Sequence, residues 1–221
     1  MVSLPTGRHI GYLPELTLLS SVWFALRYPN REPSKGRGLD SMSVALLVLG
    51  INSFIFHATM KHTTQYCDEI GMLILGGSLL QGVYTINQSP TVVKVMNMTI
   101  YAAVGVLSAL YVRTGNILHH VYSFNTMIGL VGVRTIYLIF SRNRSAHERN
   151  SLLKHYGKAV GILVVAYLLW QVDLEKCFEL RKIREALGLP LAWILELHGW
   201  WHVLTALGAS EYIRLIRAMN P

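Results

Sequence analysis

Charged residues are scarce in this 221-residue sequence: they make up 14% of it, whereas hydrophobic residues make up 52%. The charged residues are 12 acidic and 20 basic ones. Only two residues are cysteines. No internal repeat, low-complexity tract or second soluble region interrupts the chain. So little charge is unusual for a soluble domain and typical of a membrane protein. The basic excess is explained by the connecting loops and indicates no nucleic-acid partner.

Long apolar runs fill most of the chain. A bilayer core of about 30 Å requires roughly 20 apolar residues per helix. The breaks between the runs contain Pro, Gly and charged residues, which end helices. We therefore predict an all-α integral membrane protein, a seven-transmembrane helix bundle in which residues 1–221 form one domain. The predicted spans are about 10–28, 41–60, 69–88, 92–112, 117–140, 157–173 and 190–216.

The distribution of Lys and Arg predicts the orientation. The side with the 28–40 loop and the C-terminus carries 12 of these residues, and the other side carries seven. This excess predicts a cytosolic C-terminus. The run at 10–28 lacks the features of a secretory signal and is interpreted as a retained span, the alternative being a helix in the membrane interface. A sequon at Asn87 lies on the predicted cytosolic side and is expected to stay unmodified.

A few polar residues interrupt the apolar runs, at a cost of about 2.5–3.5 kcal/mol for each ionisable group. His198 and His202 stand four residues apart, which on a helix places both imidazoles on one face. Ser53 and His57 have the same spacing, and Asp68 follows at the start of the next predicted span. These segments can therefore bring three imidazoles, an acid and a hydroxyl to one place.

Such a set of side chains suits a catalytic zinc site. Three neutral imidazoles leave the fourth position of Zn²⁺ open to water, and zinc lowers the pKa of that water to about 7. An acid such as Asp68 can move its proton, and the Ser53 hydroxyl can donate to a developing oxyanion. In the alternative reading the histidines only pack, Asp68 caps a helix and Ser53 bonds to its own helix. Asp173 and Arg134 are interpreted as ties between helices.

At these residues the sequence resembles the alkaline ceramidase family of the CREST group of seven-span membrane hydrolases. The resemblance extends from about residue 15 to 217. Its motifs are Ser53-x3-His57, then x10 to Asp68-Glu69, and His198-x-x-Trp201-His202, with further matches around Asp173, Cys177 and Arg134.

The resemblance implies zinc-dependent hydrolysis of the ceramide amide bond to a sphingoid base and a fatty acid. It places His57, His198 and His202 on zinc, Asp68 on the zinc-bound water and Ser53 at the carbonyl. It also implies a membrane lipid as substrate and the endoplasmic reticulum or Golgi as location. No obligatory protein partner is expected.

The resemblance is weakest at the N-terminal end of the sequence. Family members carry an acidic leader that helps to bind calcium, whereas this sequence begins at Met1, shortly before Glu15. Glu15 matches the acid of the first span, but Leu18 stands where an asparagine is expected. A complete calcium site is therefore not expected. The leader cysteine is absent too, so Cys177 is left either to pair with Cys67 or to stay a free thiol.

Two other functions stay open on the sequence. One is a weakly active or inactive seven-span receptor or scaffold derived from this family, for which metal content without turnover would be diagnostic. The other is a CREST hydrolase that cleaves a different lipid amide, which a panel of substrates would distinguish.

Overall fold

The computed structural model describes residues 22–23, 39–141, 144–188 and 190–220, and the elements within these ranges are all helical. The predicted all-α fold is therefore confirmed. Only residues 22–23 of the first predicted span, 10–28, are among the described residues. Glu15 lies outside them. The elements are α1 (Ser41–Thr59), α2 (His62–Tyr84), α3 (Pro90–Thr114), α4 (Ile117–Ser141), α5 (Ala146–Glu175), α6 (Cys177–Leu187), a 3-10 helix (Leu191–Leu195) and α7 (Leu197–Met219).

Four of these helices, α1, α3, α4 and α5, are long and apolar enough to cross a membrane. Their outer faces expose large apolar side chains, such as Met98 and Val133, that suit contact with lipid. Helices α2 and α7 have 23 residues each but carry more polar groups. The chain is a membrane protein with four candidate spans in its described part, and a total of seven stays a prediction.

Several predicted boundaries are wrong because polar residues do not by themselves stop a helix. Helix α2 begins at His62 rather than at 69, so the predicted loop at 61–68 is mostly helical. Helix α5 begins at Ala146 rather than at 157, behind a capping box formed by Ser145 and Glu148. The predicted loop at 174–188 contains α6, and the last span starts at Leu197 rather than at 190, after a 3-10 turn.

A tight turn joins α1 to α2 and sets the level of the site residues. Met60 takes a left-handed conformation with φ of 51°. Lys61 then occupies the N-cap position of α2, which begins at His62. Ser53 lies seven residues before Met60, and Asp68 lies seven residues after Lys61. Ser53 and Asp68 therefore lie at one level on antiparallel helices. Asn52 confirms this level, because its Nδ2 donates to the Cys67 carbonyl oxygen at 2.9 Å.

Helices α5 and α7 pack closely along their length. At Gly208 an added Cβ would lie 2.7 Å from Cγ of Leu163, so the approach requires a residue without a side chain. Lys158 of α5 also donates to Glu211 of α7 at 3.0 Å. This packing holds α7, whose first two turns carry His198 and His202, against α5.

An ion pair ties the opposite end of α7 to the start of α1. Asp40 caps α1 by accepting from the Ser43 backbone N–H, and it accepts from Arg217 at 2.8 and 2.9 Å. Partial burial raises the pKa of Asp40, but the hydrogen bonds and charge of Arg217 and the Ser43 N–H outweigh it and hold the net pKa below its ordinary value. Arg217 also donates to the Ser43 hydroxyl at 2.6 Å.

Candidate metal and catalytic site

Three imidazoles from two helices converge where α1 ends and α7 begins. Nε2 of His57 lies 2.8 Å from Nε2 of His202, which in turn lies 3.2 Å from Nε2 of His198. One nitrogen from each ring lies within 4.8 Å of the other two. His202 is buried, and the other two rings are half-buried. The structure therefore brings together the three histidines expected from the sequence.

Two further side chains lie beside these rings. The Trp201 ring lies 4.3 Å from the ring of His202 and 5.1 Å from that of His198, between ring centroids. Asp173, near the end of α5, places Oδ2 4.0 Å from Nδ1 of His198. A carboxylate behind a metal-binding imidazole fixes its orientation and raises its basicity. At 4.0 Å the two groups are not hydrogen-bonded, so Asp173 lies beside His198 at the edge of the site, whereas the sequence interpretation favoured a tie between helices.

A small cavity of about 60 Å³ adjoins the imidazole of His202. Ser53, Asp68, His202 and Thr205 are among its lining residues, and most of the remaining wall is apolar. The apolar residues of the wall include Leu46, Leu49, Met72, Leu75, Phe124 and Ala206. No Lys or Arg side chain of the described residues lines it. The cavity therefore places one imidazole of the cluster and three oxygen-bearing side chains beside a surface that suits hydrocarbon.

The alternative readings of Ser53 and Asp68 are wrong. Asp68 lies inside α2, which begins at His62 with Lys61 at the N-cap position, so Asp68 does not cap that helix. Ser53 is 2% exposed, and its Oγ lies beside the Asp68 carboxyl without a well-formed hydrogen bond to any described residue. A buried hydroxyl without a partner costs free energy, which is typical of functional sites. Its hydrogen-bonding capacity is thus free for another molecule.

Polar contacts around the site were not predictable from the sequence. Arg184 of α6 pairs with Glu196, just before α7, at 2.9 Å and so braces the segment leading to His198. Glu69, next to Asp68 in the chain, accepts from the Tyr111 hydroxyl and thereby ties α2 to α3. No spacing rule links residues so far apart in the sequence. Their polarity within or beside apolar runs was the only available signal.

The residues present fit a metal ion. Zinc at about 2.0–2.1 Å from each of two tetrahedrally placed nitrogens requires roughly 3.3 Å between them. The observed distances of 2.8 and 3.2 Å need only a small adjustment. The orphaned Ser53 hydroxyl and the adjoining cavity give room for a water or a substrate oxygen beside the cluster. Three imidazoles with an open side form a donor set typical of catalytic zinc.

Residues 16–220 match the sequence model of the family described as Ceramidase. The chain belongs to the ceramidase family. The match spans nearly the whole sequence, and its range includes Ser53, His57, Asp68, His198 and His202. Ceramidases of this family are generally metal-dependent, which agrees with the cluster of three histidines.

Two curated ceramidases are similar to this chain. Alkaline ceramidase YPC1 of Saccharomyces cerevisiae is 27% identical over 179 residues, which cover 75% of this chain and 57% of the yeast protein. Alkaline ceramidase 3 of Mus musculus is 23% identical over 172 residues, which cover 77% of this chain and 62% of the mouse protein. The chain therefore spans less than two thirds of either ceramidase.

The other sequence expectations for this ceramidase family member have mixed outcomes. Cys67 and Cys177 are both free thiols, so the possible pairing is not formed. Arg134 does tie helices, because its guanidinium lies 5.2 Å from the Tyr84 ring of α2 and 5.1 Å from the Tyr137 ring of its own helix. Trp201 lines the cavity, whereas Trp200 is exposed.

Proposed function

We propose that this chain hydrolyses the amide bond of ceramide and releases a sphingoid base and a fatty acid, with zinc held by His57, His198 and His202. The observation that carries the proposal is the convergence of these three imidazoles beside a cavity that also contains Ser53 and Asp68. Membership of the ceramidase family supports ceramide as the substrate. Ceramide, phytoceramide and dihydroceramide all fit this chemistry.

When bound, zinc would supply a Lewis acid that makes water a better nucleophile near neutral pH and polarises the amide carbonyl. Asp68 takes the proton of the attacking water at its carboxylate and delivers it to the nitrogen of the leaving amine. The Ser53 hydroxyl donates to the carbonyl oxygen as negative charge develops there. Asp173 lies close enough to orient the His198 ring after a small movement, and Trp201 packs against the rings of His198 and His202.

The apolar wall of the cavity determines which amides can enter. Leu46 and Leu75 are buried beside Ser53 and Asp68, so an alkyl chain attached to the reacting amide can lie against hydrocarbon. Two-tailed lipids rarely leave the bilayer, because each buried CH₂ group contributes about 0.8 kcal/mol. The substrate therefore enters laterally from the membrane. The same wall limits the access of bulk water to the reacting groups.

The test is the release of sphingoid base from ceramide, phytoceramide and dihydroceramide by membranes that lack other ceramidases. Wild type is expected to release base from at least one of them, and His202→Ala is expected to release none. Added zinc restores activity to wild type stripped by a chelator but not to His202→Ala. Absence of release by well-folded wild type would overturn the proposal. Metal binding without turnover would then favour a non-catalytic scaffold.

For the orientation, we propose a cytosolic C-terminus in the endoplasmic reticulum or Golgi membrane, with the site at the lumenal end of the bundle. Asn87 lies in the α2–α3 connection, at the opposite end of α2 from Asp68. It is therefore expected to remain unglycosylated, whereas a sequon introduced in the connection between α6 and α7 is expected to be modified. The reverse pattern, read as mobility shifts after glycosidase treatment, would contradict this orientation.

A further inference from the structure

Thr205 is a polar residue of the cavity that neither the mechanism nor the fold uses. It lies on α7 three residues after His202, and residues at this spacing are neighbours on one helix face. It lines the same cavity as Ser53 and Asp68. It is half-buried, so its hydroxyl has limited access to water. Thr205 therefore places a hydrogen-bonding group one helical turn further into the bundle than the imidazole cluster.

The Thr205 hydroxyl makes no hydrogen bond to another described residue, as is also true of Thr63, Thr91 and Thr126, but of these four only Thr205 lines the cavity beside His202. Threonine in an apolar helix ordinarily donates to the carbonyl oxygen four residues back. Five threonines in or at the ends of the described helices do so, at distances of 2.7–3.0 Å. They are Thr59, Thr85, Thr99, Thr114 and Thr135. The Thr205 hydroxyl is therefore free of its own helix and available to a molecule in the cavity.

The chemistry of ceramide supplies a partner at this position. Its amide nitrogen is attached to C2, and hydroxyl groups occupy the neighbouring carbons C1 and C3. The long chain continues from C3, so the C3 hydroxyl lies on the chain side of the amide and the C1 hydroxyl on the headgroup side. Along α7, Thr205 lies on the inner side of His202, toward the buried residues Ala206 and Ala209. A sphingoid chain that runs from the imidazoles toward these buried residues would bring the C3 hydroxyl to Thr205.

We infer that Thr205 determines specificity for the sphingoid base by hydrogen-bonding the C3 hydroxyl of the substrate. This inference rests on the proposed function, since it assigns a role at the same site. A hydroxyl can both donate and accept, so Thr205 suits a partner that does the same. A site that satisfies its polar group through the substrate disfavours an analogue lacking that group, because the protein hydroxyl is then left unpaired.

The test compares Thr205→Val, which replaces the hydroxyl with a methyl group, and Thr205→Ser, which keeps it. Each variant and wild type is assayed with dihydroceramide, its 3-deoxy analogue and its 1-deoxy analogue in mixed micelles. Wild type is expected to prefer dihydroceramide to the 3-deoxy analogue by roughly three- to tenfold in kcat/KM, the range of one hydrogen bond. Thr205→Val brings this ratio close to one, and Thr205→Ser retains it.

The 1-deoxy analogue is the matched control, because its ratio to dihydroceramide should be the same in wild type and Thr205→Val. Thermal melting of both variants shows whether they are folded. If Thr205→Val discriminates against the 3-deoxy analogue as strongly as wild type does, the inference is overturned but the proposed function stays intact. Loss of discrimination against the 1-deoxy analogue instead would overturn it too. No release from any substrate by wild type would overturn the proposed function and this inference with it.

Discussion

Replacing Ser53 with alanine is expected to raise stability and lower activity. The Ser53 side chain is 2% exposed, and its hydroxyl lies beside the Asp68 carboxyl without a hydrogen bond of good geometry to any described residue. A buried unsatisfied polar group costs about 1–3 kcal/mol, part of which its removal recovers. A gain of about 1 kcal/mol raises the Tm of a chain of this size by roughly 2–4 °C. Loss of a donor to the developing oxyanion lowers kcat by about 10²–10³-fold.

Ser43 offers a matched control on the same helix. It is also 2% exposed, but its hydroxyl accepts from Arg217 at 2.6 Å. It lies ten residues from Ser53, or about 15 Å along α1 at 1.5 Å per residue. Hydrogen bonds to charged groups contribute about 1.5–3 kcal/mol, so Ser43→Ala is expected to lower the Tm with little change in kcat.

Both variants are purified in detergent and compared with wild type by thermal unfolding and by sphingoid-base release under saturating ceramide. The opposite signs of the two Tm shifts separate this account from a general effect of removing buried hydroxyls. A Tm loss in Ser53→Ala as large as that in Ser43→Ala would refute the reasoning, and so would unchanged kcat in Ser53→Ala.

Three further predictions test other parts of the structure. Gly208→Ala is expected to destabilise the protein by about 1–3 kcal/mol, because the added methyl group clashes with Leu163. Its control is Gly161→Ala on α5, where the methyl group meets no atom within 4 Å and should raise the Tm. Equal Tm shifts in the two variants would contradict the close approach of α5 and α7. The lowered pKa of Asp40 adds stability that is present above its unfolded value of 3.8 and lost as pH falls through the folded pKa, so thermal unfolding of wild type but not of Asp40→Asn should lose this contribution below about pH 4. Asp173→Asn is expected to weaken zinc binding by about 10–100-fold while the fold stays intact. Competition with a fluorescent chelator measures the zinc affinity. Unchanged affinity would show that Asp173 does not support the site.

The candidate site was more predictable from the sequence than the helix boundaries. The four-residue spacings of Ser53 with His57 and of His198 with His202 define shared helix faces whatever the exact helix ends. Membrane burial also makes each polar group conspicuous. Convergence of α1 with α7 was a hypothesis from the side-chain chemistry and the family motifs, and the structure brings the three imidazoles together.

The boundaries failed for local physical reasons. Polar residues between His62 and Asp68 looked like a loop, yet a single left-handed residue at Met60 suffices for the turn. Hydropathy likewise missed α6, because its residues alternate between an apolar and a charged face. Asp173 and Thr205 could not be assigned because their roles depend on which helices pack together, which no local pattern specifies.

The central claim is that three imidazoles hold one zinc ion, and zinc content per purified chain tests it most directly. Wild type is expected to contain about one zinc, and His202→Ala is expected to contain almost none. His120→Ala is the control, because His120 is a buried histidine of α4 outside the cluster, and it should retain about one zinc. A His202→Ala protein that keeps its zinc, or a wild type reconstituted with zinc that retains none, would contradict the account.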